Sequence, residues 1–215
     1  MPANAHIVAN ETIKESFMFG GYYVYELGED AMVISLNGML PFWENWQDPE
    51  DGYLMIDWVE DVLNDNPDKK FLTQTHVFFG NNFFEELEVL WNETYTNQMV
   101  QVLKERQDDL IVCLGAHIHH VQIMAPQSSV VDDLNIVQVI SPAISPVYDN
   151  NPGYGAIEFT KEDHIKSMKF YFFQLEDWLR LGIVNFLEYD LIRYLGVDLN
   201  SAQSVRDYVD SLMFN

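Results

Sequence analysis

The chain reads as an α/β domain: a β-sheet with helices packed on it and a helical tail at the C-terminal end. Three observations lead there. Apolar β-forming runs alternate with stretches whose apolar residues recur at helical spacing, the order that builds a sheet with crossover helices. Beyond residue 120, short β-rich segments follow one another with Gly, Pro and Asn turns between them. Of 215 residues, 48% are hydrophobic and 14% aromatic, enough for one domain with a substantial core and too many for a disordered chain.

Taken in order, residues 22–27 and 31–36 flank the triplet Gly28-Glu29-Asp30 and predict a hairpin. An aromatic loop follows, Phe42-Trp43-Glu44-Asn45-Trp46. Asp48-Pro49 then supplies a cap and a favoured first helical residue. Met55, Val59, Val62 and Leu63 recur at helical spacing up to the break at Asn66-Pro67. Residues 70–75 predict the next strand, which delivers His76 into a loop that leads to the acidic segment 85–88. Tyr95, Met99, Val102 and Leu103 mark a second amphipathic helix ending near Gln107-Asp108, and residues 110–114 form another strand. Residues 121–124, 135–140, 155–159 and the alternating Met168, Phe170 and Phe172 read as further strands. The tail is expected to be helical: residues 186–195 end at Gly196, Asn200-Ser201 offers a new cap, and Val205, Tyr208, Val209 and Leu212 form a stripe. The boundaries drawn are residues 1–175 for the main domain and 176–215 for a helical subdomain packed on it.

Charge narrows the partners. Asp and Glu number 34 against 11 Lys and Arg, a net charge of -23, which repels phosphate backbones and argues against a nucleic-acid polymer as partner. No apolar stretch is long enough for a transmembrane segment, and no signal-peptide pattern is expected. The single cysteine, Cys113, lies inside an apolar run, so no intrachain disulfide forms and a buried, inert thiol is expected. Two sequons begin at Asn10 and Asn92 and matter only on a secretory route.

Three histidines stand at strand ends. His76 closes one apolar run, and His117 and His119 follow another. Imidazoles leaving neighbouring strands at one edge can be aimed at one metal ion or at two. Spacing alone leaves the alternative of ordinary polar residues open.

The surrounding text goes further. Gly115-Ala116-His117-Ile118-His119-His120 resembles the Gly-His-x-His signature of calcineurin-like metallophosphoesterases, with Thr75-His76 where that family has an earlier Gly-His. Ile140-Ser141-Pro142-Ala143-Ile144-Ser145-Pro146-Val147-Tyr148-Asp149-Asn150-Asn151-Pro152-Gly153-Tyr154 is similar to the segment after the histidine pair in acid sphingomyelinase-like phosphodiesterases. Gly20-Gly21-Tyr22-Tyr23 and Val33-Ile34-Ser35-Leu36-Asn37 resemble two further segments of that group, and all occur in family order.

The resemblance implies a metallophosphoesterase-type sandwich of mixed β-sheets flanked by helices, truncated at the N-terminus. It implies two divalent metal ions, zinc by family habit, with His76 and His117 serving one and His119 the other. The substrate would be a phosphodiester, sphingomyelin or nucleotide-like, in an extracellular, lysosomal or vacuolar setting. Tyr148, Asn150 and Asn151 would line the substrate cleft, although Asn-Asn-Pro-Gly is also an ordinary turn former. His120 would be second to the pair.

Departures from the family pattern bear on competence. No Asp-x-His, Gly-Asp or Asn-His occurs in the sequence, so the bridging carboxylate and the leaving-group acid of the family have no counterpart in these residues. Thr75 and Ala116 replace glycines, and Ile118 stands where Thr is common; each change can loosen the rings. The chain alone is expected to be inactive. The alternative reading is a non-catalytic pseudoenzyme or structural subunit whose exposed sheet surface is covered by a partner chain.

Overall fold

The computed structural model describes residues 11–42, 49–82, 88–126, 130–131, 134–162 and 164–213. The elements are α1 (Glu11–Gly20), β1 (Tyr23–Leu27), β2 (Ala31–Leu36), α2 (Pro49–Asp65), β3 (Lys70–Thr75), β4 (Asn81–Asn82), β5 (Glu88–Val89), α3 (Glu93–Glu105), β6 (Leu110–Gly115), β7 (Gln122–Met124), β8 (Gln138–Ile140), β9 (Gly153–Phe159), β10 (Ile165–Phe173), α4 (Leu175–Leu181), β11 (Phe186–Asp190), α5 (Leu191–Leu195) and α6 (Ala202–Met213). His6, Asn10, Asp48, Trp43 to Trp46 of the aromatic loop and most of the acidic segment 85–88 lie outside the described residues.

A six-stranded mixed sheet runs in the order β1-β2-β3-β6-β8-β7. Its four inner strands are mutually parallel, and β1 and β7 close the two edges antiparallel. Helical crossovers α2 and α3 join β2 to β3 to β6, which is why those strands lie side by side and point the same way. A second sheet, β11-β10-β9, is wholly antiparallel.

Alternation along β2 shows how the layers assemble. Met32, Ile34 and Leu36 face one side, packed with Met55, Ile56, Val59 and Leu63 of α2 and Met99, Val100 and Leu103 of α3. Ala31 and Val33 face the other, packed with Ile165, Met168 and Phe170 of β10 and with Leu191, Ala202 and Val205 of the C-terminal region. Period-2 strands therefore feed two cores, and the molecule stacks as helices, mixed sheet, and antiparallel sheet with C-terminal helices. Cys113 is buried, and desolvation pushes its thiol up to about 12.

Arg106 holds the end of one crossover. Just past α3, its guanidinium donates to the carbonyls of Leu63 at 2.6 Å, Pro67 at 3.1 Å and Lys69 at 3.2 Å, satisfying oxygens that the end of α2 leaves open.

The expected helix over 186–195 is corrected. Phe186–Asp190 is strand β11, registered antiparallel on β10 with Phe172 opposite Leu187 and Phe170 opposite Tyr189. Only Leu191–Leu195 is helical, with Asp190 as its cap, accepting from the Arg193 N–H, and left-handed Gly196 at its end. Alternating Leu187 and Tyr189 suited a pairing with an aromatic strand that the local spacing does not reveal. Helix α1 was not anticipated.

Candidate functional site

Because β2, β3, β6 and β8 are parallel, their C-terminal ends share one edge, the edge at which open α/β sheets place sites. Asn37, His76, the segment 116–119 and Ser141 leave the sheet there. A shallow depression of about 340 Å³ lies against this edge, lined by Ser35, Thr75, His76, Gly115 and Ser141 among others.

The turn that carries His76 is fixed by its neighbours. The Val77 carbonyl accepts from the Thr75 hydroxyl at 2.9 Å and from the buried Trp91 indole N–H at 2.8 Å. Gly38 leaves room for that carbonyl, since a Cβ there would lie 2.1 Å from it. The Ala116 N–H donates to the His76 carbonyl at 3.1 Å, which ties the two histidine-bearing turns together. On the far side, Ser141 reaches back to Gly115 O with both its N–H, at 2.9 Å, and its hydroxyl, at 3.0 Å.

His76 and His117 meet at this edge. Nδ1 of His117 stands 3.3 Å from Nε2 of His76, and the rings cross edge to face with centroids 5.1 Å apart. Phe42 packs its ring edge-on against His117, centroids 6.1 Å apart. Desolvation first, then the neighbouring His117 and His119, lower the pKa of His76, so its neutral, ligating form is favoured. His119 is near enough to contribute to the His76 shift and has a further neighbour of its own. Its ring meets Tyr148 at a centroid distance of 4.9 Å, and its buried Nδ1 has no hydrogen-bond partner.

The backbone is strained where the rings turn. His117 has φ of 82°, His119 62° and Asp149 56°; among the described residues no other non-glycine has positive φ. Such conformations cost energy and cluster at functional sites. Thr75 and Ala116, each just before one of these histidine-bearing turns, are not among them. Strain therefore falls on the histidines themselves.

The remaining candidates divide. Tyr148 is exposed and covers His119. Asn150 donates to Ser145 O at 3.0 Å within its own loop, and its buried Oδ1 has no partner. Asn151 accepts from the Leu175 N–H at 3.1 Å and so anchors the start of α4. Phe42, from the aromatic loop, packs on His117, and Ser141 is a site neighbour to which only its position just past a strand pointed.

The donor set can be tested against a metal. Two imidazole nitrogens at about 2.05 Å on one tetrahedral zinc lie about 3.3 Å apart. The 3.3 Å contact between His76 and His117 is a hydrogen bond between the two rings whose length equals that bite, and the orphaned Nδ1 of His119 is an unsatisfied donor of the right kind. Among the described residues, however, no three His, Cys, Asp or Glu side chains group closely enough to hold one ion. The residues fit part of a coordination shell and complete none.

No known family profile matches the chain, and neither does any curated protein sequence. Among solved structures, the chain is similar to PhoD at 9% identity and a TM-score of 0.49, with 79% of this chain covered. A Staphylococcus aureus protein assigned as a 5′-nucleotidase, in complex with α-ketoglutarate, matches at 15% identity and a TM-score of 0.35 over 67% of this chain. The chain spans 43% of the length of the first and 27% of the second.

Proposed function

We propose that the chain carries the histidine edge of a metal-dependent phosphodiesterase of the acid sphingomyelinase-like type. In this reading His76 and His117 hold one divalent ion, zinc, and His119 contributes to a second. The observation that carries it is the 3.3 Å spacing of two ring nitrogens at the C-terminal ends of adjacent parallel strands. Bound divalent ions supply a polarised phosphoryl oxygen and a water of lowered pKa. This chain's own residues hold the imidazoles in register, keep His76 neutral and place Tyr148, Asn150 and Asn151 on the loop beside His119. The substrate class is a phosphodiester, sphingomyelin or nucleotide-like, met outside the cell or in a lysosomal or vacuolar compartment.

Competence is a separate matter. Among the described residues no His, Cys, Asp or Glu completes a group of three for one ion, so on this reading each ion finds at most two protein ligands and the isolated chain is expected not to turn over. Zinc titration against a chromophoric chelator is expected to show weak, non-stoichiometric binding that is lost in His117→Ala. Equal binding by the variant would remove the ligand assignment, and two ions retained per chain after dialysis would overturn the incomplete site. Hydrolysis of bis-nitrophenyl phosphate with added zinc is expected to be absent; turnover abolished by His119→Ala would refute that.

A specific observation favours a second, non-catalytic reading. Trp178, Leu181, Val184 and Phe186, on and beside α4 and β11, are 48%, 65%, 68% and 53% exposed. An apolar edge of that size is a surface for a partner chain. Light scattering that shows a monodisperse monomer at high concentration would count against it.

A further inference from the structure

The face of the mixed sheet that packs on β10 changes character at its last row before the histidine edge. That row follows from the strand register: Ser35 lies beside Gln74, Gln74 beside Leu114, and Leu114 beside Val139. Two residues earlier on the same four strands, Val33, Leu72, Val112 and Val137 are all apolar and buried. In the last row Ser35, Gln74 and Leu114 are only half-buried. A row polar at one end and apolar at the other therefore lies open beside the histidines.

Two hollows meet along it. The depression at the histidine edge is lined by Ser35, Gln74 and Leu114, and a slot of about 270 Å³ between the two sheets by Leu114 and Val139; both also touch Ser141. The slot is room that β9 leaves. Ile157 and Phe159 on that strand pack into the core between the sheets, whereas the two preceding positions on the same face are Gly153 and Gly155. A Cβ at Gly155 would lie 2.9 Å from the Phe170 ring, and one at Gly153 2.8 Å from that of Phe172, so both glycines face inward and bring no side chain to fill the gap. No Asp, Glu, Lys or Arg lines either hollow, although the chain carries a net charge of -23.

We propose that the slot is the subsite for an apolar substituent of a phosphodiester whose phosphoryl group lies at His76, which rests on the reading of the histidine edge given above. A short alkyl chain or a plain aromatic ring enters past Leu114 and is enclosed by Val139, Ile157 and Phe170. Its volume, below the roughly 300 Å³ at which pockets for whole ligands begin, gives room for one substituent. A nucleoside is disfavoured there, because its ribose and base would lose water to walls whose polar side chains are only Ser141 and Tyr154. The single negative charge of the diester meets no carboxylate along the way.

Three diesters of equal charge test this in the labelled full chain without zinc, by amide chemical shifts: hexyl methyl phosphate, dimethyl phosphate and the methyl ester of uridine 5′-phosphate. Hexyl methyl phosphate is expected to shift signals of β6, β8 and β9 saturably and to bind at least tenfold more tightly than either of the others. Ile157→Ser should cut that advantage at least fivefold. Ile144→Ser, at the lip of the slot where the side chain is 78% exposed, removes little buried surface and should cut it at least twofold. The proposal is overturned by the absence of a saturable shift, by equal binding of the hexyl and dimethyl esters or of the hexyl and uridine esters, or by an advantage unchanged in both variants. Because the comparison needs no metal, it fails separately from the histidine reading. Zinc bound and lost in His117→Ala with no hexyl preference removes the slot alone, whereas a hexyl preference in a chain that takes up no zinc keeps the slot and removes the ion.

Discussion

His117 and His119 hold left-handed backbone angles that their side chains make expensive, at roughly 1–3 kcal/mol each. Glycine at either place relieves that cost and gives back roughly 0.5–1 kcal/mol in chain entropy. His117→Gly is therefore expected to raise stability by about 1 kcal/mol in urea unfolding, and to lose zinc binding with it. A destabilised variant would show that the ring's contacts with His76 and Phe42 outweigh the strain. His76 makes a pH prediction. Burial and two neighbouring imidazoles lower its folded-state pKa below the unfolded value of 6.5, so the unfolded chain takes up the proton first. Stability is complete above the unfolded pKa and falls as pH drops below it toward the folded pKa. His76→Ala should flatten that part of the profile, measured by melting temperature in metal-free buffer; an unchanged slope would place the acid sensitivity elsewhere.

At the scale of elements, the turn after β3 is over-determined, and Gly38 is its most exposed point of failure. A Cβ there would meet the Val77 carbonyl at 2.1 Å and the Thr75 hydroxyl at 2.4 Å, both committed to the hydrogen bonds that shape the turn. Gly38→Ala is expected to cost about 1–3 kcal/mol and to displace His76. Its check is a lower denaturation midpoint together with a shifted His76 ring resonance, and a variant as stable as the parent would refute the close approach. Elements were also where the sequence spoke most clearly. Residues 70–75 and 31–36 were legible as strands because their apolar runs are bounded by turn residues, and α2 and α3 because Met55, Val59 and Leu63, and Tyr95, Met99 and Leu103, repeat at helical spacing onto one core. Phe186–Asp190 was not, since its strand character comes from pairing with β10, a contact no local window contains. The parallel adjacency of β3 and β6 followed from the crossover helix between them, so a shared edge for His76 and His117 was open to inference. The backbone strain at the histidines and the role of Trp91 in holding the turn were not, because each depends on neighbours distant in the chain.

For the molecule as a whole, 34 acidic residues against 11 basic ones set two electrostatic effects in opposition. Exposed ion pairs such as Lys69–Glu26, Lys169–Glu188 and Arg180–Glu176 favour the fold, but solvent screens each of them and leaves it a small contribution. The surplus of carboxylates, a net charge of -23, repels itself across the folded surface more than in the expanded chain. Salt screens both, and the repulsion sums over many more pairs than the attractions do, so its relief wins. Raising KCl from low to physiological ionic strength, where the screening length shortens from about 30 Å to about 8 Å, is expected to recover about 1–2 kcal/mol and raise the melting temperature by about 3–6 °C. Chloride is the salt to use, because sulfate stabilises by surface exclusion as well. The same repulsion should move the pH of greatest stability below neutrality in low salt, as unpaired carboxylates begin to protonate while Glu26 and Glu158, their pKa values lowered by hydrogen bonds from Lys69 and Lys166, remain charged. Below the unfolded carboxylate range these paired groups protonate in turn and their contribution is lost, which closes the window on the acid side. A melting temperature that falls on adding KCl at pH 7 would mean that the ion pairs dominate and that the excess negative charge is offset by a cation the fold retains.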